Sequence, residues 1–377
     1  ANNTSYTVSG TCDEDTATVT LNFGAISDAS QTCSSGTFSL SSWDVSAEAD
    51  NAAVVVTADF LDVAGNPATQ ATLNVLKDTL PPSIAIVTPA DLDIIGLSDD
   101  SAVYVVSGTC DEAAQAITIK LDGVNATGQS VINCDGSNFT GTIDTTGYVD
   151  GTYAFTAEIQ DTIGNIGTSA TNNITKDTVL PLVAITTPAD LSFINIATDS
   201  ATFAVSGTCN ENGQTVVIKV DGVAATSPVG LNCDGTNFSG TIDTSGLTET
   251  ALAFTAELTD AGSNIGTSTT NTITKDVTAP VIAMVTPADL TIIGTIDDSA
   301  TYAISGTCDE NGQTVSIEID AGAATSQVGF NCDGTNFSGT IDTTGLADNT
   351  YAFTAKVSDT AGNETISSAN KITKDAF

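Results

Sequence analysis

The chain is predicted to be all-β: a tandem array of four seven-stranded β-sandwiches, each with one disulfide, the first lacking its opening strand. Three observations carry this. Ser-Gly-Thr-Cys occurs four times, ending at Cys12, Cys110, Cys209 and Cys308, and each is answered by a second cysteine, Cys33, Cys134, Cys233 and Cys332. A Lys-Asp pair closes each unit at Lys77, Lys176, Lys275 and Lys374, at a constant step of 99 residues. Apolar and polar residues alternate with period two, as half-buried strands require, and no stretch carries a convincing helical period. The units are 1–79, 80–178, 179–277 and 278–377, each near the common domain size and able to bury its own core.

The second unit shows the strands in order. Strand A is expected from Ser83 to Thr88, with a second short piece near Ile94. Strand B ends at Cys110 after the alternation Tyr104, Val106, Gly108; C covers Ala116 to Leu121, and D ends at Cys134. Strand E runs from Asn138 to Asp144, F from Thr152 to Gln160, and G ends at Lys176. Threonine, valine and isoleucine dominate, as suits a pleated surface. Turns fall at Asp122-Gly123, Asp135-Gly136, Asp150-Gly151 and Asp161 to Asn165, where Asp-Gly and Asx chemistry reverses a chain. Such strands pack as two antiparallel sheets. The B-strand pattern recurs as Tyr6, Val8, Cys12, then Phe203, Val205, Cys209, then Tyr302, Ile304, Cys308.

Parity places Cys110 on the face of Val106 and Cys134 on the face of Ile132, both inward at one pole of the sandwich. A bond between them would close a loop worth roughly 3 kcal/mol in the chain-entropy model. The alternative is two reduced, buried cysteines. Four repeated pairs point to an oxidising compartment. Zinc is unsuited, because each unit has two isolated cysteines and the chain has no histidine.

The 46 acids face 8 lysines, with no arginine. No cationic surface is expected that could displace the counterions of nucleic acid or meet an anionic membrane surface, and no apolar run is long enough to span a bilayer. Without histidine or arginine, and with the cysteines in bridges, the usual bases and nucleophiles of an enzyme are missing.

Several motifs carry a family resemblance: Val106-Ser107-Gly108-Thr109 on strand B, Asp-Gly after strand C, and Asp150-Gly-Thr-Tyr-Ala-Phe-Thr-Ala157 entering F. To these add Asp161-x-x-Gly-Asn165 after F and Lys176-Asp-Thr-x-x-Pro181 at the junction. The chain resembles the bacterial immunoglobulin-like repeats of large extracellular adhesins and secreted surface fibres. The resemblance implies an immunoglobulin-like fold, a place outside a prokaryotic cell, secreted or on its surface, and a structural role. It departs from antibody domains in pairing B with D rather than B with F, and unit one fits least well.

Strand directions bring loops B to C, D to E and F to G to the pole facing the preceding unit. This gathers Asp78, Asp111, Glu112, Asp135 and Asp161 at the first junction, and Asp177, Glu211, Asp234 and Asp260 at the second. At the third it gathers Asp276, Asp309, Glu310, Asp333 and Asp359. Hard oxygen ligands in this number suit calcium. The competing reading is that they serve turns alone, and Asn210 in place of the first aspartate of unit three weakens the metal.

The proline-bearing junctions, Pro81-Pro82, Pro181 and Pro280, restrict the backbone between units, so end-to-end stacking into a semi-rigid rod is expected. Unit one begins directly before strand B, so the edge carrying Tyr6 and Val8 is expected to be open. Two explanations compete. Either a neighbouring chain covers the edge by strand addition, giving head-to-tail self-association in a fibre, or the strand lies upstream in a longer array of neighbouring repeats, an adhesin stalk. A glycan- or protein-binding adhesion module is the third functional reading. Trp43, the single tryptophan, reads as core filler.

Overall fold

The computed structural model describes residues 4–376, which form strands and turns with no helix among them. The chain divides into two compact halves, Ala1–Val179 and Leu180–Phe377. Each half holds two sandwiches, and each of the four apolar cores stays within one repeat.

In the first half, the first sandwich comprises β1 (Tyr6–Thr11), β2 (Thr18–Phe23), β3 (Ile26–Thr32), β4 (Thr37–Trp43), β5 (Asn51–Phe60) and β6 (Ala71–Lys77). The second comprises β7 (Ile84–Thr88), β8 (Ile94–Ile95), β9 (Tyr104–Cys110), β10 (Ile117–Leu121), β11 (Val124–Asn125), β12 (Asn138–Ile143), β13 (Gly151–Gln160), β14 (Ile166–Thr168) and β15 (Asn172–Lys176).

The second sandwich is the complete form. One sheet has the order β12-β9-β7, the other β11-β10-β13-β15-β8, with β14 on β13. The period-two pattern is why: along β9, Val106, Gly108 and Cys110 are buried while Val105 and Thr109 are exposed. Phe139, Phe155, Ile119, Ile143 and Ile174 fill the space between the sheets. The expected strand A divides its duty, β7 lying antiparallel on β9 and β8 parallel on β15. It thereby covers the open edge of both sheets.

Strand D differs from expectation. In the second sandwich the segment ending at Cys134 is no regular strand. Ser130 N–H donates to the Thr142 carbonyl, but Ile117 N–H then donates to Ile132, and Cys134 N–H to Gln115. The segment crosses from the edge of one sheet to the edge of the other, and the Cys110–Cys134 bond ties its end back to β9. In the fourth repeat the equivalent segment, Val328–Cys332, does pair as a strand with Asn336–Ile341, with a register break between Val328 and Asn331.

The first sandwich departs further. β3 pairs with β2 in a sheet β3-β2-β5-β6, and β1 pairs with β4 alone. No described strand lies on the other edge of β1, nor beyond β6. Trp43 is buried against Phe23, edge to face at 6.0 Å.

The second half repeats the complete form twice. Each has a four-stranded sheet, ordered by its members Val183–Thr187, Phe203–Cys209, Asn237–Asp243, Thr226–Val229 in the third repeat and likewise in the fourth. Each also has a six-stranded partner sheet. Four disulfides, Cys12–Cys33, Cys110–Cys134, Cys209–Cys233 and Cys308–Cys332, close loops of 21 or 24 residues.

Candidate functional site

Polar chemistry concentrates in three places: the loops where sandwiches of one half meet, the lysine that closes each repeat, and the open edge of the first sandwich.

The loop after β13 is built by Asp161. Its Oδ1 accepts N–H groups of Ile163, Gly164 and Asn165 at 2.7–2.9 Å, and its Oδ2 accepts Asn165 Nδ2 at 2.7 Å. Burial would raise this carboxyl, but donors from Asn165, Ile163 and Gly164 outweigh it and hold it below the ordinary aspartate value. Asn165 Nδ2 also donates to the Asp78 carbonyl at 3.2 Å, joining loop to linker. In the second half the equivalent Asn363 does more. Its Nδ2 donates to the carbonyls of Asp276 and Thr278, and its Oδ1 accepts Ile196 N–H at 2.7 Å. Asn195 Nδ2 donates to the Ala361 carbonyl at 2.9 Å. Asn363 is 2% exposed as a result.

The acids singled out for calcium mostly serve as turn acceptors. Asp111 Oδ1 accepts Ser83 N–H and Asp309 Oδ1 accepts Val281 N–H, both at 2.8 Å. Asn210 Oδ1 accepts Leu182 N–H at 2.8 Å in the same arrangement. A position served alike by Asp and Asn needs an oxygen acceptor, not a charge. That accounts for Asn210. Asp135, Asp234 and Asp333 each accept the N–H groups two and three residues on, and these donors hold their carboxyls low. Asp78, Asp177 and Asp276 accept from Leu80, Val179 and Thr278. Asp260 and Asp359 repeat the Asp161 turn with Asn264 and Asn363.

Glu112, Glu211 and Glu310 are half-buried. Burial, then the charges of Asp309, Asp359 and Asp276, push the Glu310 carboxyl up. Among the described residues, however, no three ligating side chains stand close enough to hold a metal ion together. The turn donors fix most of these carboxylates in loops of their own.

Sequence reasoning used the closing lysines only as markers. Lys176 is 5% exposed; its Nζ bonds Asp100 Oδ2 at 2.8 Å and the carbonyls of Thr145 and Tyr148 at 2.9 and 2.8 Å. Thr145 Oγ1 in turn donates to Asp100 Oδ1 at 2.7 Å. Lys275 with Asp199 and Thr244, and Lys374 with Asp298 and Thr343, repeat the arrangement. The signal was available, since Asp100, Asp199 and Asp298 recur at the same 99-residue step. In the first sandwich Lys77 bonds the carbonyls of Ser46 and Glu48, and its nearest carboxylate oxygen, Asp50 Oδ1, is 3.8 Å away.

The open edge places Tyr6 and Val8 on β1, paired on one side only with Trp43 and Leu40 of β4. Beside β1 runs an apolar groove of about 610 Å³, lined by Val8, Gly10, Phe38, Val56, Phe60 and Leu73 among others.

No protein-family model matches the chain, and no curated protein sequence matches it. Among solved structures it is similar to a Ca2+-stabilized adhesin that helps an Antarctic bacterium bind ice. The identity is 23% and the TM-score 0.37, over 99% of this chain and 94% of that one. It is also similar to a tetra-tandem repeat from the extending region of a large adhesion protein, at 21% identity and TM-score 0.37, over 99% and 96%. Drosophila N-cadherin EC1-4 follows at 12% and 0.27, over 97% and 94%. Likeness at this level leaves the function to be argued from the chain itself.

Proposed function

We propose that the chain is an extracellular structural protein of a prokaryote, a semi-rigid array of immunoglobulin-like sandwiches serving as fibre subunit or adhesin stalk, without enzymatic activity. Repetition is the observation that carries this reading. The disulfide and the buried closing lysine recur in all four repeats and the same core in the second, third and fourth, whereas catalysis needs one special cleft. The disulfides support an oxidising, extracellular setting. The bacterial adhesin neighbours agree with it in kind.

Negative-stain microscopy tests the proposal. Stacked sandwiches of about 40 Å each, from strands of about seven residues plus loops, give rods of roughly 160 Å, or filaments if strand addition links them. Compact particles about 55 Å across, the size of a 377-residue globule, would contradict it.

Calcium at the junctions is a second reading, favoured by the acids that raise Glu310 and in keeping with the adhesin described as Ca2+-stabilized. A melting temperature unchanged between calcium and chelator would remove it.

A further inference from the structure

We infer that the open edge of the first sandwich receives one extended segment with the pattern Ile/Val-Ala-Ile/Met-x-Thr and an aspartate twelve residues after the threonine. This deepens the structural reading above by naming the chemistry of the segment that covers the edge.

The other three repeats define the occupant. Ile84–Thr88, Val183–Thr187 and Ile282–Thr286 fill the equivalent place, and Asp100, Asp199 and Asp298 each follow twelve residues after the threonine. In the second sandwich the register is Ile84 opposite Cys110, Ala85 opposite Thr109 and Ile86 opposite Gly108. Transposed to β1, the first apolar residue faces Cys12, the alanine Thr11, and the second apolar residue Gly10. A Cβ on Gly108 would lie 2.0 Å from the Ala85 carbonyl, so the incoming strand requires glycine there. Gly10 holds the same position on the open edge, where the nearest atoms to an added Cβ are those of the Phe38 ring.

The second sheet has the same gap. Ile94 and Ile95 run parallel to Thr175 and Lys176 of β15, and Ile174 between the sheets is fully buried. On β6 the counterparts are uncovered: Val75 is only half-buried, and Leu73 and Leu76 are 63% and 55% exposed.

Charge points the same way. The ammonium of Lys77, 7% exposed, lacks the close carboxylate that its three counterparts receive from this segment. An arriving aspartate would complete the ion pair at Lys77, as Asp100 does at Lys176. On the facing sandwich, Asn165 stays half-buried where Asn363 is sealed by Asn195 and Ile196, residues of just this segment in the third repeat.

The test adds a synthetic peptide of the sequence 82–101 to the full chain, read by calorimetric titration and amide hydrogen exchange. The expected result is one site per chain, with new protection confined to residues 6–12 and 71–77. The Asp100→Asn peptide should bind about tenfold more weakly, the worth of a charge-assisted hydrogen bond, and a Lys77→Met chain should no longer distinguish the two peptides. Binding no better than a scrambled peptide, or protection elsewhere, overturns the inference. Rods without peptide binding would sink this inference and leave the proposed function standing; compact particles that bind peptide would do the reverse.

Discussion

Replacing Lys176 with methionine isolates the contribution of the closing lysine. Its ammonium is 5% exposed and holds Asp100 and two carbonyls at 2.8–2.9 Å. The substitution keeps the aliphatic stem but leaves a partly buried carboxylate without its counterion. Breaking one side of such a pair costs about 3–5 kcal/mol. For a sandwich of roughly 100 residues, each kcal/mol lowers Tm by about 5 °C, so the second sandwich should melt about 15–25 °C early. Calorimetry of the full chain would show one transition moving ahead of the others, and hydrogen exchange would locate the loss between residues 84 and 176. Adding Asp100→Asn to the same chain should recover part of the loss, because no charge is then stranded. A transition that stays within about 2 °C of the parent, or a loss spread over all four sandwiches, would refute the reasoning.

Three further outcomes follow from the same geometry. Converting Cys209 and Cys233 together to alanine removes a 24-residue closure and should lower the stability of the third sandwich alone by about 3 kcal/mol, read as a shifted denaturation midpoint. Glu310→Gln should raise the Tm of the fourth sandwich at pH 7. The Glu310 carboxyl is raised, so its contribution to stability is full below the unfolded value of 4.5 and is lost as pH climbs through the folded value; the gain should vanish near pH 4. Acid should act oppositely through Asp135, Asp234 and Asp333. Their carboxyls are lowered, so their stabilisation is present above the unfolded value of 3.8 and disappears as pH falls below it. Asn variants at these positions should flatten the acid limb of a Tm-against-pH profile.

Much of the fold was legible because the rule that generates it is local. Inward Val106, Gly108 and Cys110, or Phe155, Ala157 and Ile159, alternate on a pleated strand whatever else the chain does. Repetition across four units then separates pattern from accident. Segment D was not legible, because Ile132 and Cys134 alternate like a strand while their backbone bonds go to the opposite sheet. Alternation reports which face a side chain takes, and it is silent about which neighbour pairs. The Asp100–Lys176 pair escaped notice for a different reason: a lone lysine reads as solvated surface, and only the three-dimensional turn at Thr145 and Tyr148 reveals a buried cradle. The acids singled out for calcium sit in turns, where a backbone N–H two residues on satisfies an aspartate as readily as a metal would, and sequence cannot distinguish the two.

The proposed rod requires four sandwiches, each stapled by its own disulfide, that bear load in series. Pulling single molecules from the two ends tests this directly. Four separate unfolding events are expected under oxidising conditions. Reduction should lengthen each event by the 21 or 24 residues its disulfide had hidden, about 70–85 Å at 3.3–3.6 Å per residue. A single cooperative rupture, or event lengths indifferent to reductant, would contradict it.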